Sequence, residues 1–583
     1  MGNLNSRKTT EKIHIYTVYC TSYTHIYPFS NTFTIQHMAS LAHQPSTPTS
    51  ANHAIEVAVV GAGLSGLHCC KTILENSKSN NINVTLIEAQ NAVGGRTRAI
   101  QVNNDTIVDL GASWIHMPKN NPVTHFVQTY GKMESNVHTE FLSLPFEENS
   151  IVYPPDIEFK KYSKYFEEIL QEVGELNNLN PSNNSLSLQD GVEKILKQYE
   201  SMPPEDLAND ALSPEIVKNM RRLISVFLEC ISIIVGGDSS QLPLKDFEEG
   251  GGLDISGGNV VVSSTFGNAV QTFHQDLVSK YPNNFKTFLL HEMEQVTLKD
   301  EDNNSNSGNN NGKNIIIHTI IKNNGKNNNE KNVVKKFNVD VAIITLPLGV
   351  LKKNHTKLFP NGMLPSYKIE AIKNLGFGNV FKLYLCFTDL FWIDEDDDEA
   401  KQHDEAKWLI VPSSNLGEFQ IFLDYSTVTK KPILLAFAGG ENATILENLD
   451  ENTIIKKALN SLSTGMDISM DIIKEKLIST TKSTWGTSPY TGGAYSFLHK
   501  SSEKIDGTKL QSPIRIGNDD TNKKRNNIYF AGEACHSHWS GTTHGALDSG
   551  RDAGLLFLKE HEIITSVQLE QLRKNKVKLC QIQ

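Results

Sequence analysis

Val57-Ala58-Val59-Val60-Gly61-Ala62-Gly63-Leu64-Ser65-Gly66-Leu67 decides how this chain is read, because an apolar run passes through three spaced glycines into helix-forming residues. A strand, tight turn and helix of this kind hold a dinucleotide. Gly61 permits a turn that a side chain would hinder, Gly63 lets the main chain approach a pyrophosphate, and Gly66 lets the helix lie close on the strand. The phosphates then meet the unpaired N–H groups and positive dipole end of that helix, at whose start Ser65 lies. A second apolar strand, Val84-Thr85-Leu86-Ile87-Glu88, ends in an acid about 20 residues on, where a carboxylate reaches the adenosine ribose hydroxyls. Glu88 would repel a 2′-phosphate, which leaves NAD or FAD.

Beyond Glu88, Asn91-Ala92-Val93-Gly94-Gly95-Arg96-Thr97-Arg98 supplies a second glycine pair and a cation, suited to a second approach to the same pyrophosphate. With this addition the chain resembles the flavin-containing amine oxidase family, in which ExxxxxGGR follows the dinucleotide turn. The resemblance implies FAD, with Arg96 neutralising its pyrophosphate alongside Gly94 and Gly95.

Further motifs follow in the family's order. Asp109-Leu110-Gly111-Ala112-Ser113-Trp114-Ile115-His116 is similar to a run that lies beside the flavin, and implies Gly111, Ala112, Ser113 and Trp114 as cofactor contacts. His116 takes the position that faces the substrate channel in the polyamine-oxidising branch, although a purely structural histidine fits as well. Phe288 to Val296 reads as the strand whose backbone meets the adenine, with Met293 at that place. Val339 to Lys352 resembles the family's VxxTxPLGVLK segment. Gly376, Lys382, Phe387 and Trp392 then match the segment of the catalytic lysine, which in this family holds a water against flavin N5. Strand alternation puts Lys382 on the same face as Tyr384.

The last cluster is Trp485 to Ser496 followed by Ile528 to Ala546, and it resembles the family's C-terminal signature. It implies Trp485, Gly532, Thr542 and Thr543 at the flavin, Glu533 on the ribityl chain and Tyr495 shaping the substrate site. The turn from Gly541 to Ala546 is expected to start the final helix, whose dipole favours negative charge on the reduced ring. Monoamine oxidases attach flavin through a Cys in GGCY; Gly492-Gly493-Ala494-Tyr495 has Ala there, so the FAD is expected to be noncovalent. The Thr-Thr-His-Gly-Ala form is similar to spermine and acetylpolyamine oxidases. This implies oxidation of a small-molecule amine, a polyamine, with O2 to give aldehyde, shorter amine and H2O2. A histone-demethylase-like enzyme, a monoamine oxidase and a flavin-bound scaffold without turnover are the alternatives.

Composition bounds the rest. The 583 residues, 38% hydrophobic, suffice for two domains, and a net charge of −11 argues against a nucleic-acid partner. The seven cysteines have no metal spacing and read as free thiols of a reducing, cytoplasmic compartment. Residues 1–52 read as a disordered leader in which Gly2 fits a myristoylation pattern, and Met38 offers an alternative start. The expected fold is α/β: a doubly wound, Rossmann-like FAD-binding domain (53–140, 251–350, 481–560) interrupted by an α+β substrate-binding domain (141–250, 351–480). Asn-rich loops within 301–335 and the acidic run Asp394 to Glu405 read as solvated surface. A basic tail, 561–583, ends in Cys580-Gln581-Ile582-Gln583, a C-a-a-X pattern that would permit peripheral membrane association by prenylation.

Overall fold

The computed structural model describes residues 54–77, 81–119, 121–131, 151–152, 168–175, 186–201, 214–244, 259–299, 315–321, 333–393, 408–413, 415, 417–516 and 526–581. The leader with Gly2 and Met38, the Asn-rich tracts, the acidic run and the side chain of Cys580 lie outside the described residues.

Two six-stranded sheets carry the molecule. In the first, strands run in the order Ile514–Ile516, Asn526–Phe530, Val341–Ile344, Ile55–Val60, Ile82–Ile87, Phe285–Phe288, parallel throughout except for the first, antiparallel one. Its central strands are apolar at every position of Val57–Val60 and Val341–Ile344, because both faces are covered. Val57, Val59 and Leu86 face one core with helices Leu64–Asn76 and Thr543–Glu560. Ala58, Val60 and Ile344 face the other, with helices Leu348–Leu358 and Ser366–Asn374. This is the doubly wound arrangement the dinucleotide motif calls for. A meander of His291–Leu298, Ile315–Ile321 and Val333–Val339 flanks it.

The second sheet runs in the order Leu477–Lys482, Val380–Phe387, Ile433–Gly439, Ile421–Asp424, Trp408–Ile410, Ile151–Val152, antiparallel except for its last pair. Helix Pro214–Val235 packs beside the core on one face, and helices Gly440–Glu447 and Glu451–Met466 cover the other. Two short ribbons stitch the sheets together, Trp114–His116 with Asn259–Val261 and Gly376–Gly378 with Tyr495–Phe497.

Three features depart from the sequence reading. The stretch expected as one strand from Phe288 breaks in two, because Leu290 adopts φ 62° and turns the chain before His291. Residues 351–375, expected in the substrate domain, pack on the first sheet through Leu351, Leu358, Ala371 and Ile372. The helix starting at Thr543 is not the last: helix Ser566–Gln581 follows, with Leu569 and Leu572 set against the first core.

Candidate active site

A single cavity of about 1450 Å3 runs from the dinucleotide turn to the face of the second sheet. Drug-sized ligands occupy about 300–1,000 Å3, so there is room for a dinucleotide and a substrate together.

At one end the wall is main chain. Gly61 has φ 107°, and a Cβ there would sit 2.5 Å from Thr345 Oγ1. A Cβ on Gly66 would lie 2.0 Å from the Gly61 carbonyl oxygen, so only glycine lets the helix start against the strand. Helix Leu64–Asn76 has no side-chain cap and no acid in its first turn, which leaves its N–H groups and dipole to an anion. The second glycine pair abuts the first: Gly94 N donates to Ala62 O at 2.8 Å, and Gly94 bridges to Gly63.

Glu88 closes this end. Its two carboxylate oxygens accept from Ala62 N at 2.8 Å and Gln90 N at 2.9 Å, while burial raises its pKa against those bonds. Each oxygen keeps a further lone pair for a hydroxyl. His291 N donates to Glu88 O at 2.8 Å, which brings the strand of Met293 alongside. Midway, Arg96 donates from Nη1 to Glu533 Oε1 and to Ala494 O, both at 2.8 Å. Glu533 Oε2 accepts from the Ser496 hydroxyl and from Gly541 N. These residues come from four distant segments. Two glycine turns in contact, an open helix N-terminus, a guanidinium and an acid at the second strand's end together fit FAD.

Gly111 passes so close to Arg96 that a Cβ would sit 1.7 Å from its carbonyl oxygen. Ala112 N donates to that same oxygen at 3.2 Å, and Trp485 Nε1 donates to Leu110 O at 3.1 Å. Thr542 caps helix Thr543–Glu560 by accepting from Gly545 N at 2.9 Å. Ser65 lines the same cavity, and so do Thr543 and Gly532.

The other end is side chain. Lys382, 5% exposed, points its Nζ at Ser113 Oγ (2.6 Å), Gly111 O (2.7 Å) and Asp109 O (3.3 Å). The same nitrogen lies 4.9 Å from the Trp114 ring and 5.8 Å from that of Phe437. Burial pushes the Lys382 pKa down to about 7 against the pull of Asp109. Trp408 packs on Phe437, and Cys230, Ile233 and Val380 extend the apolar wall. The Tyr495 hydroxyl donates to Ile233 O and to Ile234 O, tying that ring to the end of helix Pro214–Val235, and burial raises its pKa. His116, two places on from Trp114 and on the same strand face, reaches the cavity as an exposed side chain.

The motifs alone left several residues without a role. Asp109 was visible as an acid inside an apolar strand, Ile107-Val108-Asp109-Leu110, which is itself a signal of a paired buried charge. Phe437 and Trp408 carried no signal beyond a core strand pattern. Among the described residues no cluster of His, Cys, Asp and Glu could hold a metal.

Comparison with known proteins agrees with this geometry. The family model for flavin-containing amine oxidoreductases matches residues 314–553, and that for NAD(P)-binding Rossmann-like domains matches 59–130. Lysine-specific histone demethylase 1 homolog 1 of Arabidopsis thaliana is 32% identical over 216 residues, covering 37% of this chain, which spans only 23% of that protein's length. Polyamine oxidase 3 of Oryza sativa subsp. japonica is 23% identical over 517 residues, covering 86% of this chain and 88% of its own length. A solved structure of putrescine oxidase bound to putrescine superposes with a TM-score of 0.58 at 14% identity, covering 87% of this chain and 99% of its own, a likeness of fold. The matched domains, the doubly wound sheet and the FAD-fitting groove agree, and the chain carries a domain of the flavin-containing amine oxidoreductase family over residues 314–553.

Proposed function

We propose that this protein oxidises polyamines (spermine, spermidine or their acetylated forms) with O2 to an imine and H2O2, water then hydrolysing the released imine to an aldehyde and a shorter amine. The observation that carries this reading is a buried lysine on an aromatic wall in the same cavity as the dinucleotide groove. FAD held by Gly61, Gly63, Glu88 and Arg96 would supply the two-electron chemistry that links the amine to O2. Trp114, Phe437, Trp408 and Tyr495 exclude water from the reacting carbon and orient it. Burying a charge on such a wall is costly, so the reacting nitrogen enters uncharged. Lys382, beside it, offers a proton-transfer group suited to neutral pH. Similarity to a rice polyamine oxidase over 86% of this chain supports the choice of substrate.

A demethylase-like activity is the second reading, favoured by the higher identity of the 216-residue segment shared with the Arabidopsis homologue. Anaerobic mixing with putrescine, spermidine, spermine, their acetylated forms and a methyl-lysine histone peptide decides between them. Bleaching of the flavin by a polyamine, and peroxide on admitting air, is the expected result. Bleaching by the peptide alone would replace the proposal, and bleaching by none would leave a flavin-bound scaffold. Ala494 carries no thiol for attachment, so acid precipitation is expected to release yellow FAD into the supernatant.

A further inference from the structure

Lys382 does not stand alone on the cavity wall. Its Nζ is surrounded by three oxygens of one short segment: Ser113 Oγ at 2.6 Å, Gly111 O at 2.7 Å and Asp109 O at 3.3 Å. An ammonium has three donors, and this cradle supplies one acceptor to each. The segment is itself clamped. The Asp109 carboxylate accepts from Phe266 N at 2.7 Å and Gly267 N at 3.1 Å, at the N-terminus of helix Phe266–Lys280, and its carbonyl also accepts from Tyr384 Oη at 2.8 Å. Ser113 Oγ turns back to Gly111 O at 3.1 Å.

We infer that Asp109 and Ser113 are positioning residues for Lys382: the carboxylate, anchored on the helix N-terminus, holds the carbonyl cradle in place and balances the lysine's charge, while the Ser113 hydroxyl is its nearest proton partner. This deepens the proposed reaction and rests on Lys382 serving it. The logic is electrostatic. Asp109 is 2% exposed, and burial raises its pKa to about 7 against the two helix N–H groups and Lys382. Lys382 is depressed to about 7 by the same burial. The helix N–H groups do most to keep Asp109 ionised, whereas Asp109 is the charge that supports the ammonium: with Asp109 ionised the ammonium is retained, and without it the amine gives up its proton at lower pH. The remaining groups facing the site, among the described residues, are Tyr384 from the lysine's own strand, Tyr425 beyond strand Ile421–Asp424, and the rings of Trp114 and Phe437. Burial holds both tyrosines protonated, so Asp109 and Lys382 are the pair that exchanges charge.

The arrangement explains why an acid interrupts an apolar strand. A hydrophobic residue at 109 would pack as well but would leave Phe266 N and Gly267 N without an acceptor and the lysine without a counter-charge.

The test follows Lys382 directly in the FAD-loaded enzyme. Only the unprotonated amine is acylated, so trace labelling with acetic anhydride across pH, read by mass spectrometry of the Lys382 peptide, gives its titration midpoint without any amine substrate. Asp109→Asn keeps one of the two oxygens that accept from the helix N–H groups and removes the charge; the Lys382 midpoint is expected to fall by about one pH unit. Ser113→Ala removes the nearest acceptor and is expected to move the midpoint the same way. The pH profile of anaerobic flavin bleaching should shift in parallel, in kcat more than in KM. If Asp109→Asn does not fold, Ser113→Ala decides alone; if Lys382 resists acylation, the bleaching profile decides. Titration of both variants as in the wild type would overturn the inference. Failure of every amine to bleach the flavin would instead sink the proposed activity, while the labelling result would still stand.

Discussion

At the dinucleotide end of the cavity the wall is made by main chain meeting main chain: Gly66 against the Gly61 carbonyl, Gly94 against Ala62, Gly111 against the Arg96 carbonyl. At the far end it is made by side chains projected from strands Trp114–His116, Val380–Phe387 and Ile433–Gly439. The main-chain wall has little slack, because at Gly66, Gly94 and Gly111 an added carbon strikes a backbone oxygen that cannot rotate away. A side-chain wall can be redrawn residue by residue while its sheet stays intact. The first kind suits a cofactor that stays the same; the second suits a substrate that differs between relatives.

Substitutions should therefore behave differently at the two ends. The largest effect is expected from Gly66→Val, whose Cβ would meet the Gly61 carbonyl at 2.0 Å. We expect loss of about 4–5 kcal/mol or more and no soluble yellow protein, checked by expression and flavin absorbance. Glu88→Lys comes next. It buries a cation and strips the acceptor from Ala62 N and Gln90 N, so the purified protein should be colourless. A normal flavin content would show that this end tolerates change after all.

In the chamber, Lys382→Met should keep the flavin spectrum and slow anaerobic reduction or reoxidation about 10²–10⁴-fold, as removal of a positioned proton-transfer group does. Stopped-flow rates equal to wild type in both half-reactions would remove Lys382 from the chemistry. Smallest is Tyr495→Phe, which loses the hydroxyl's bonds to Ile233 O and Ile234 O. It should cost about 1 kcal/mol, measured as an earlier rise of released-flavin fluorescence in urea, and raise KM more than it lowers kcat. A colourless Tyr495→Phe would erase the distinction between the two ends.

Legibility follows the same division. The groove could be read because glycines at fixed spacing and an acid ending a strand are local features, so Gly61, Gly66, Glu88 and Arg96 were visible within some forty residues of chain. Lys382 was visible only through resemblance, since a lysine near a strand start means nothing by itself. Phe437 and Trp408 were not visible at all: alternation marks them as core, and which core residues border a cavity depends on how distant strands are ordered. The break at Leu290 was missed because a non-glycine residue at positive φ leaves no sign in the sequence. Residues 351–375 were assigned to the wrong core for a related reason, as two amphipathic helices show an apolar face without saying which sheet it meets.

The order of strands in the first sheet also governs how the chain must assemble. Ile55–Val60 sits between Ile82–Ile87 and Val341–Ile344, and the latter pairs in turn with Asn526–Phe530. Helix Leu64–Asn76, formed early, packs against Thr543–Glu560, where a Cβ on Gly550 would lie 2.1 Å from Ser65 O. During synthesis the first strand therefore waits for its sheet to be completed until nearly the whole chain is made, on the order of half a minute to a minute and a half at about 5–20 residues per second. For the last part of that interval, about 10–40 seconds while the chain between Ile344 and Asn526 is made, the apolar edge of Val341–Ile344 stands open, and such an edge invites pairing with another chain. Non-local pairing of this kind is slow, and yield in the cell becomes a contest between closing the sheet and aggregating. Lower growth temperature and added chaperone should raise soluble flavoprotein, and any truncation before Asn526 should leave that edge permanently exposed and the product insoluble.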